Sequence, residues 1–150
     1  MTRMNKGFSL VELLLVLAII GILSGIAIPS FLGQRRRARL IGDAKTNAKS
    51  MAMALENRRA ETGLYPAAGT WTWTAAAGFT GGPDVNPIPT FTTQNNTQMD
   101  YSLTVPHPSD PVATSRLTYL VTVTDPKLGN GTVLKMDQTG AFDPTVQYVP

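Results

Sequence analysis

The 150-residue chain contains no cysteine and one histidine, and only 15% of its residues are charged. Without cysteine there is no disulfide, no thiol nucleophile and no thiolate metal site, so packing and hydrogen bonds must hold the fold together. The formal net charge is +3, but residues 8–150 carry 11 basic and 10 acidic side chains, a net +1, which gives little general attraction to nucleic acid. The single histidine, His107, lies between two prolines, where a surface loop is a better interpretation than a general base.

The acidic residues give no catalytic or metal-binding pattern either. They are spread along the chain without the D-x-D-x-D spacing of a calcium loop, and we interpret five of them as turn residues: Asp100, Asp110, Asp125, Asp137 and Asp143. No Gly-rich phosphate-binding loop is present. We therefore expect that the protein is not an enzyme and that it has no cofactor and no metal site.

The strongest signal in the chain is an uncharged, apolar run from Leu13 to Gln34. As a helix rising about 1.5 Å per residue, this run reaches roughly 33 Å, which is enough to cross a bilayer core. Glu12 lies directly before the run, and an ionised carboxylate carried deep into lipid costs about 2.5–3.5 kcal/mol. Glu12 therefore either pairs with a positive group or stays in the headgroup region. Both interpretations remain open at this stage.

The residues around this run form a specific pattern. Residues 6–12 read Lys-Gly-Phe-Ser-Leu-Val-Glu, and residues 21–29 read Gly-Ile-Leu-Ser-Gly-Ile-Ala-Ile-Pro. Together with the apolar run, they resemble the N-terminus of the type IV pilin family, which includes the pseudopilins of type II secretion. The resemblance is close over about the first quarter of the chain and looser as far as residues 65–66.

This resemblance implies a structural function. A prepilin peptidase would cleave after Gly7 and methylate the new N-terminus at Phe8, and Glu12 would recruit and register the incoming subunit. The subunit would first be anchored in the bacterial inner membrane as a single-pass protein, with its C-terminal domain outside the cytoplasm. It would then polymerise with its own copies, through the N-terminal helix and with the pilus or secretion assembly machinery, into an extracellular type IV pilus.

Two alternatives remain within this family. One is a pseudopilin of a type II secretion system, forming a periplasmic pseudopilus; the other is a minor pilin with a DNA-binding or adhesive role. The second alternative would use Trp71 and Trp73, which alternate with threonines and predict a short strand with both indoles on one face. We favour packing of the indoles over a stacking surface for DNA or sugar, and the charge does not support nucleic acid as a partner.

Two further features of the long helix have candidate roles. Gly21 and Gly25 permit close helix approach, and Pro29 predicts a kink or local loosening; the resemblance implies that this stretch melts within filaments.

Four arginines follow the apolar run, as candidate contacts to lipid or to neighbouring subunits: Arg35, Arg36, Arg37 and Arg39. The positive-inside rule would place them in the cytoplasm, against the family topology, and a solvated collar is the alternative interpretation.

The sequence predicts an α+β fold, in which a long N-terminal helix packs on a three- or four-stranded antiparallel sheet. An apolar stripe at helical spacing continues the helix: Ile41, Ala44, Ala48, Met51 and Leu55. Gly63 and Pro66 then indicate its end. Strands are expected at 99–105, 117–123 and 132–136, with a final edge segment at 142–149.

The expected divisions of the chain are a leader (1–7), a transmembrane or filament-core helix (8–34), its amphipathic continuation (35–64), an αβ loop region (65–98) and a β-sheet region (99–150).

Overall fold

The computed structural model describes residues 7–93, 98–112, 115–129 and 131–146. It contains one long helix, α1 (Leu10–Thr62), followed by five strands and a short 3₁₀ helix, Pro126–Leu128. The strands are β1 (Gly69–Thr74), β2 (Gly78–Gly81), β3 (Asp100–Val105), β4 (Leu120–Asp125) and β5 (Gly131–Asp137). The α+β fold with a long N-terminal helix and an antiparallel sheet is confirmed. The chain divides into an N-terminal unit up to Ala38 and a C-terminal unit from Arg39 onward.

The five strands form one antiparallel sheet in the order β2-β1-β3-β4-β5. The prediction of three or four strands was therefore wrong. Two strands lie in the range 65–98: β1, which the alternation around Trp71 and Trp73 predicted, and β2, which falls where Gly- and Pro-rich composition indicates loop structure. Strand β2 reads Gly-Phe-Thr-Gly, which is too short to show an alternating pattern, and it exists because it pairs with β1 across a tight turn that ends at Gly78 with φ +69°.

Strand β4 begins at Leu120, three residues later than the predicted start at Leu117. The residues before it are held by the preceding loop instead of by the sheet. Thr118 donates its hydroxyl to Asp110 Oδ2 at 2.6 Å and accepts a hydrogen bond from the His107 amide at 3.1 Å. After β5, a single bridge joins Met136 to Phe142, where an edge segment was predicted over 142–149; residues 147–149 lie outside the described residues.

The core of the C-terminal unit forms between the second part of α1 and one face of the sheet. In the predicted helix stripe, Ala44, Ala48, Met51 and Leu55 are fully buried and Ile41 is partly buried against the same core. The alternating strand residues that meet them include Trp71, Trp73, Tyr101, Leu103, Val121, Val123 and Met136. One buried polar pair joins the two layers: Asn47 Nδ2 donates to the Tyr101 hydroxyl at 3.1 Å.

Helix α1 ends where the glycine pattern predicts. Gly63 adopts φ +81°, a left-handed conformation that costs glycine little because it has no Cβ. Its amide donates to the Arg59 carbonyl at 2.7 Å, which satisfies one of the free carbonyls of the last helical turn.

Candidate assembly site at the start of the long helix

The N-terminus of α1 is closed by a reciprocal pair of side-chain hydrogen bonds. Ser9, the residue before the helix, accepts a hydrogen bond from the Val11 amide through its Oγ at 3.3 Å. In return, the Ser9 amide donates to Glu12 Oε2 at 3.0 Å. This arrangement is a capping box, which satisfies two backbone donors that a helix start otherwise leaves unpaired.

Glu12 therefore has a role within its own subunit that the sequence interpretation missed. Its carboxylate lies in the first helical turn, where the positive end of the helix dipole favours a negative charge. The signal that indicates this role is the Ser-x-x-Glu spacing itself. Phe8, whose amine would be exposed after cleavage at Gly7, lies one residue before the capping serine, and its side chain is 80% exposed. The capping box therefore holds Glu12 within one turn of the predicted new N-terminus.

The N-terminal unit exposes an apolar surface all around the helix. Sixteen large apolar side chains from Phe8 to Leu32 are each between 48% and 80% exposed. Burying one such side chain gives about 1.5–3 kcal/mol, so leaving sixteen in water is strongly unfavourable. Within the described residues, α1 is the one helix long and apolar enough to cross a membrane.

Gly21 and Gly25 face open space in the single subunit, because a Cβ added to either would meet nothing within 4 Å. Helix α1 continues through position 29, so the backbone there is helical in the isolated subunit. The close contacts of the two glycines and the melting of the 21–29 stretch concern the filament, and they stay predictions.

The arginine cluster after the apolar run is exposed throughout: Arg35, Arg36, Arg37 and Arg39. Exposure fits a solvated collar as well as a contact to lipid headgroups or neighbouring subunits. The role of this cluster stays a prediction.

Both tryptophans of strand β1 are core residues. Trp71 and Trp73 are each 1% exposed, as the alternating pattern and the favoured packing interpretation predict. The Trp73 ring contacts Phe79 at 5.4 Å and Phe91 at 5.8 Å between ring centroids. Neither indole is available as a stacking surface for a base or a sugar, so this basis for a DNA-binding or adhesive role is removed.

Four of the five aspartates predicted as turn residues accept a nearby backbone amide, whereas Asp100 begins β3 and accepts the amide of Ala75, 25 residues away, at 3.0 Å. Asp110, Asp137 and Asp143 each accept a backbone amide two residues later, at 2.9–3.0 Å. Threonine hydroxyls also donate to these carboxylates and lower the pKa of all three below 3.8. His107 Nδ1 accepts the Ser109 amide at 3.1 Å in a similar local turn. Across the part of the chain that the structure describes, no three His, Asp or Glu side chains are grouped to hold a metal ion.

Comparisons with known proteins agree with the sequence pattern at the N-terminus of the chain. The family model described as "Prokaryotic N-terminal methylation motif" matches residues 2–28. The type IV major pilin protein PilA of Myxococcus xanthus (strain DK1622) is 44% identical over 61 residues, which cover 41% of this chain and 27% of that protein. PilE of Neisseria gonorrhoeae, also named a type IV major pilin, is 33% identical over 66 residues, 44% of this chain and 39% of that protein.

A third relative, the fimbrial protein of Neisseria meningitidis serogroup B (strain ATCC BAA-335 / MC58), is 32% identical over 71 residues, 47% of this chain and 38% of that protein. The matches thus span between 27% and 39% of the length of these relatives. No solved structure gives a significant match to this chain. Over its N-terminal part, the chain therefore carries the prokaryotic N-terminal methylation motif and is similar to type IV major pilins.

Proposed function

We propose that this chain is the structural subunit of a type IV pilus or a pilus-like filament. The observation that carries the proposal is the coincidence of the methylation motif at residues 2–28 with a helix whose apolar side chains are left exposed by the described residues of the N-terminal unit. Two environments satisfy such a helix: a lipid bilayer, and a bundle of identical helices. A subunit that moves from the bilayer into the helix bundle keeps its apolar side chains buried while it polymerises.

The processing step gives this transfer its register. Cleavage after Gly7 leaves an α-amino group on Phe8, positively charged at neutral pH because its ordinary pKa is about 7.7–8.0. In an apolar surrounding, this amine requires a negative partner, and Glu12 is the one acidic residue between positions 8 and 42. The Glu12 carboxylate of one subunit pairs with the Phe8 amine of the next and sets their axial offset.

The remaining partners follow from this pathway. A prepilin peptidase cleaves and methylates the chain, and assembly machinery extracts it from the inner membrane, where its C-terminal unit lies outside the cytoplasm. The inner membrane then meets water, on its non-cytoplasmic side, at the four exposed arginines: Arg35, Arg36, Arg37 and Arg39. There they contact anionic headgroups before assembly and neighbouring subunits afterwards. Gly21, Gly25 and Pro29 supply the stretch of α1 that approaches neighbouring helices closely and loosens in the filament.

Mass spectrometry on filaments sheared from the cell surface tests the proposal directly. The expected species is a chain that begins at N-methylated Phe8 and dominates the preparation. A full-length or differently cleaved chain would contradict the processing step. Recovery of the processed chain only from the inner-membrane fraction, or in trace amounts, would replace the major pilin with the pseudopilin or minor-pilin alternative.

The capping box allows the registration role of Glu12 to be separated from its structural role. Glu12→Gln keeps a side-chain oxygen that accepts from the Ser9 amide, because glutamine also completes a capping box, but it removes the charge. We expect this variant to be processed and membrane-bound but to form no filaments, and Glu12→Ala to behave in the same way. Normal filaments from Glu12→Gln, with none from Glu12→Ala, would assign the effect to helix capping and refute charge pairing.

A further inference from the structure

A small cavity in the C-terminal unit is rich in positively charged hydrogen-bond donors. It has a volume of about 250 Å³, and its wall includes Arg58 from α1, Arg116 from the segment before β4, Trp71 from β1 and the carboxylate residue Asp84. Two arginines that are far apart in the sequence therefore line one cavity. No sequence pattern singles them out, and the proposed assembly of the helix does not use them.

Backbone carbonyls hold both guanidinium groups in place. Arg58 Nη1 donates to the Pro87 carbonyl at 2.6 Å, and Arg116 Nε donates to the Tyr65 and Pro66 carbonyls at 2.8 and 3.1 Å. These bonds fix the position of each group but leave its charge unneutralised. Among the described residues, no carboxylate oxygen lies within 4.0 Å of either guanidinium.

Two residues of the cavity wall carry buried donors without acceptors. Trp71 is 1% exposed, and its Nε1 has no hydrogen-bond partner among the described residues. Arg58 Nε is also buried without a partner in that part of the chain. Buried polar atoms are nearly always paired, and an unpaired one calls for an explanation such as a bound group that the protein itself does not supply.

We infer that this cavity is a binding site for a carboxylate-bearing ligand. The planar fork of a guanidinium matches a carboxylate in two parallel hydrogen bonds, and two such groups without a counter-ion favour an anion over a neutral ligand. The cavity volume admits a small acid or one acidic side chain. Asp84 in the wall opposes the bound anion and limits its affinity.

The test is an NMR titration of the full chain dispersed in detergent micelles, at constant ionic strength, with acetate, glutarate, glucuronate and inorganic phosphate. The chain has two tryptophans, so it gives two indole N–H signals. We expect saturable movement of the Trp71 signal with the carboxylates. The Trp73 signal should stay in place, because that ring lies in the aromatic cluster with Phe79 and Phe91. No saturable movement at millimolar carboxylate would overturn the inference, and so would a response to phosphate alone.

Charge variants give predictions of opposite sign. Arg58→Gln removes one charged donor and should weaken binding about tenfold or more, and Arg58→Lys should weaken it less because the charge remains. Asp84→Asn removes the opposing charge and should tighten binding about two- to fivefold. Arg59→Gln is the matched control, because Arg59 pairs with Glu56 and lies outside the cavity wall. Unchanged binding in Arg58→Gln with an intact Trp73 signal, or weaker binding in Asp84→Asn, would overturn the inference.

Two sources supply a carboxylate: a free acid and an acidic side chain of a second copy of this chain. A protein dilution series without added acid distinguishes them. If the Trp71 signal moves with protein concentration and acetate reverses that movement, a second copy fills the cavity. If only added acid moves the signal, the ligand is free acid. This test uses dispersed, unassembled chains, so its outcome is independent of whether the chain forms filaments.

Discussion

Replacement of Gly82 by alanine should destabilise the C-terminal unit through a single steric contact. A Cβ at position 82 would lie 2.0 Å from Trp71 Cδ1, 2.6 Å from Cγ and 2.7 Å from Nε1. Non-bonded carbon atoms prefer about 3.5–4.0 Å, so the ring or the backbone would have to move by roughly 1.5 Å. Neither moves easily, because Trp71 is buried and its strand is paired with β3 through the register Trp71 to Leu103.

Overpacking of this kind costs about 1–3 kcal/mol, and a clash with three atoms of a buried aromatic ring lies toward the upper end. At about 4 °C per kcal/mol for a unit of this size, Gly82→Ala should lower Tm by roughly 10 °C. Gly82 does not have a left-handed φ, so the loss would come from the contact and not from backbone strain.

The adjacent glycine provides the matched control. A Cβ at Gly81 would meet nothing within 4 Å, so Gly81→Ala should leave Tm unchanged or slightly raised. Both variants are measured by thermal unfolding of the full chain in detergent, followed by near-ultraviolet circular dichroism of the two tryptophans. Equal Tm values for the two variants would refute the steric explanation. An unchanged cost of Gly82→Ala in a Trp71→Val background would also refute it.

Three other measurements examine the C-terminal unit. Burial raises the pKa of Tyr119 above the ordinary 10.0, so as pH rises this hydroxyl ionises in the unfolded chain before it ionises in the folded one. Tm should therefore fall as pH rises above about 10, and Tyr119→Phe should flatten that part of the plot of Tm against pH. The Thr139 hydroxyl lowers the pKa of Asp137 below 3.8. The stabilisation from this ionised carboxylate is therefore present above pH 3.8 and is lost as pH falls through the lowered pKa of the folded state. Thr139→Val should reduce the acid-side slope of Tm, and an unchanged slope would contradict this expectation. Asn47→Leu removes the buried hydrogen bond to the Tyr101 hydroxyl and should cost about 1–3 kcal/mol by denaturant unfolding; a loss below about 0.5 kcal/mol would contradict it.

The features that the sequence predicted correctly depend on short-range patterns. An uninterrupted apolar run predicts a helix whatever surrounds it, and the stripe from Ala44 to Leu55 predicts which helix face is buried because its period is local. The end of α1 at Thr62 follows from one glycine. The alternation around Trp71 and Trp73 likewise predicted both the strand and the buried face.

The features that the sequence missed depend on partners. Strand β2 has four residues, two of them glycine, and becomes a strand only through pairing with β1. The late start of β4 depends on the bond between Thr118 and Asp110, which tertiary structure brings together. The Ser-x-x-Glu spacing indicates the capping role of Glu12. The adjacent apolar run instead suggested that the Glu12 charge needs a positive partner or a position among the lipid headgroups, so the contact to Ser9 was not predicted.

The cavity at Arg58 shows why a site of this kind is invisible in the sequence. Its two guanidinium groups are held by carbonyls 29 and 51 residues away along the chain, so no local spacing brings them together. The constraint that does so is the shared core of α1 and the sheet, which fixes the distance between the helix end, the segment after β2 and the segment before β4. A surface arginine would exchange its partners with water at little cost, whereas one that anchors a buried carbonyl keeps its orientation. Arg58 and Arg116 therefore hold fixed positions before any ligand arrives, which reduces the ordering cost of binding.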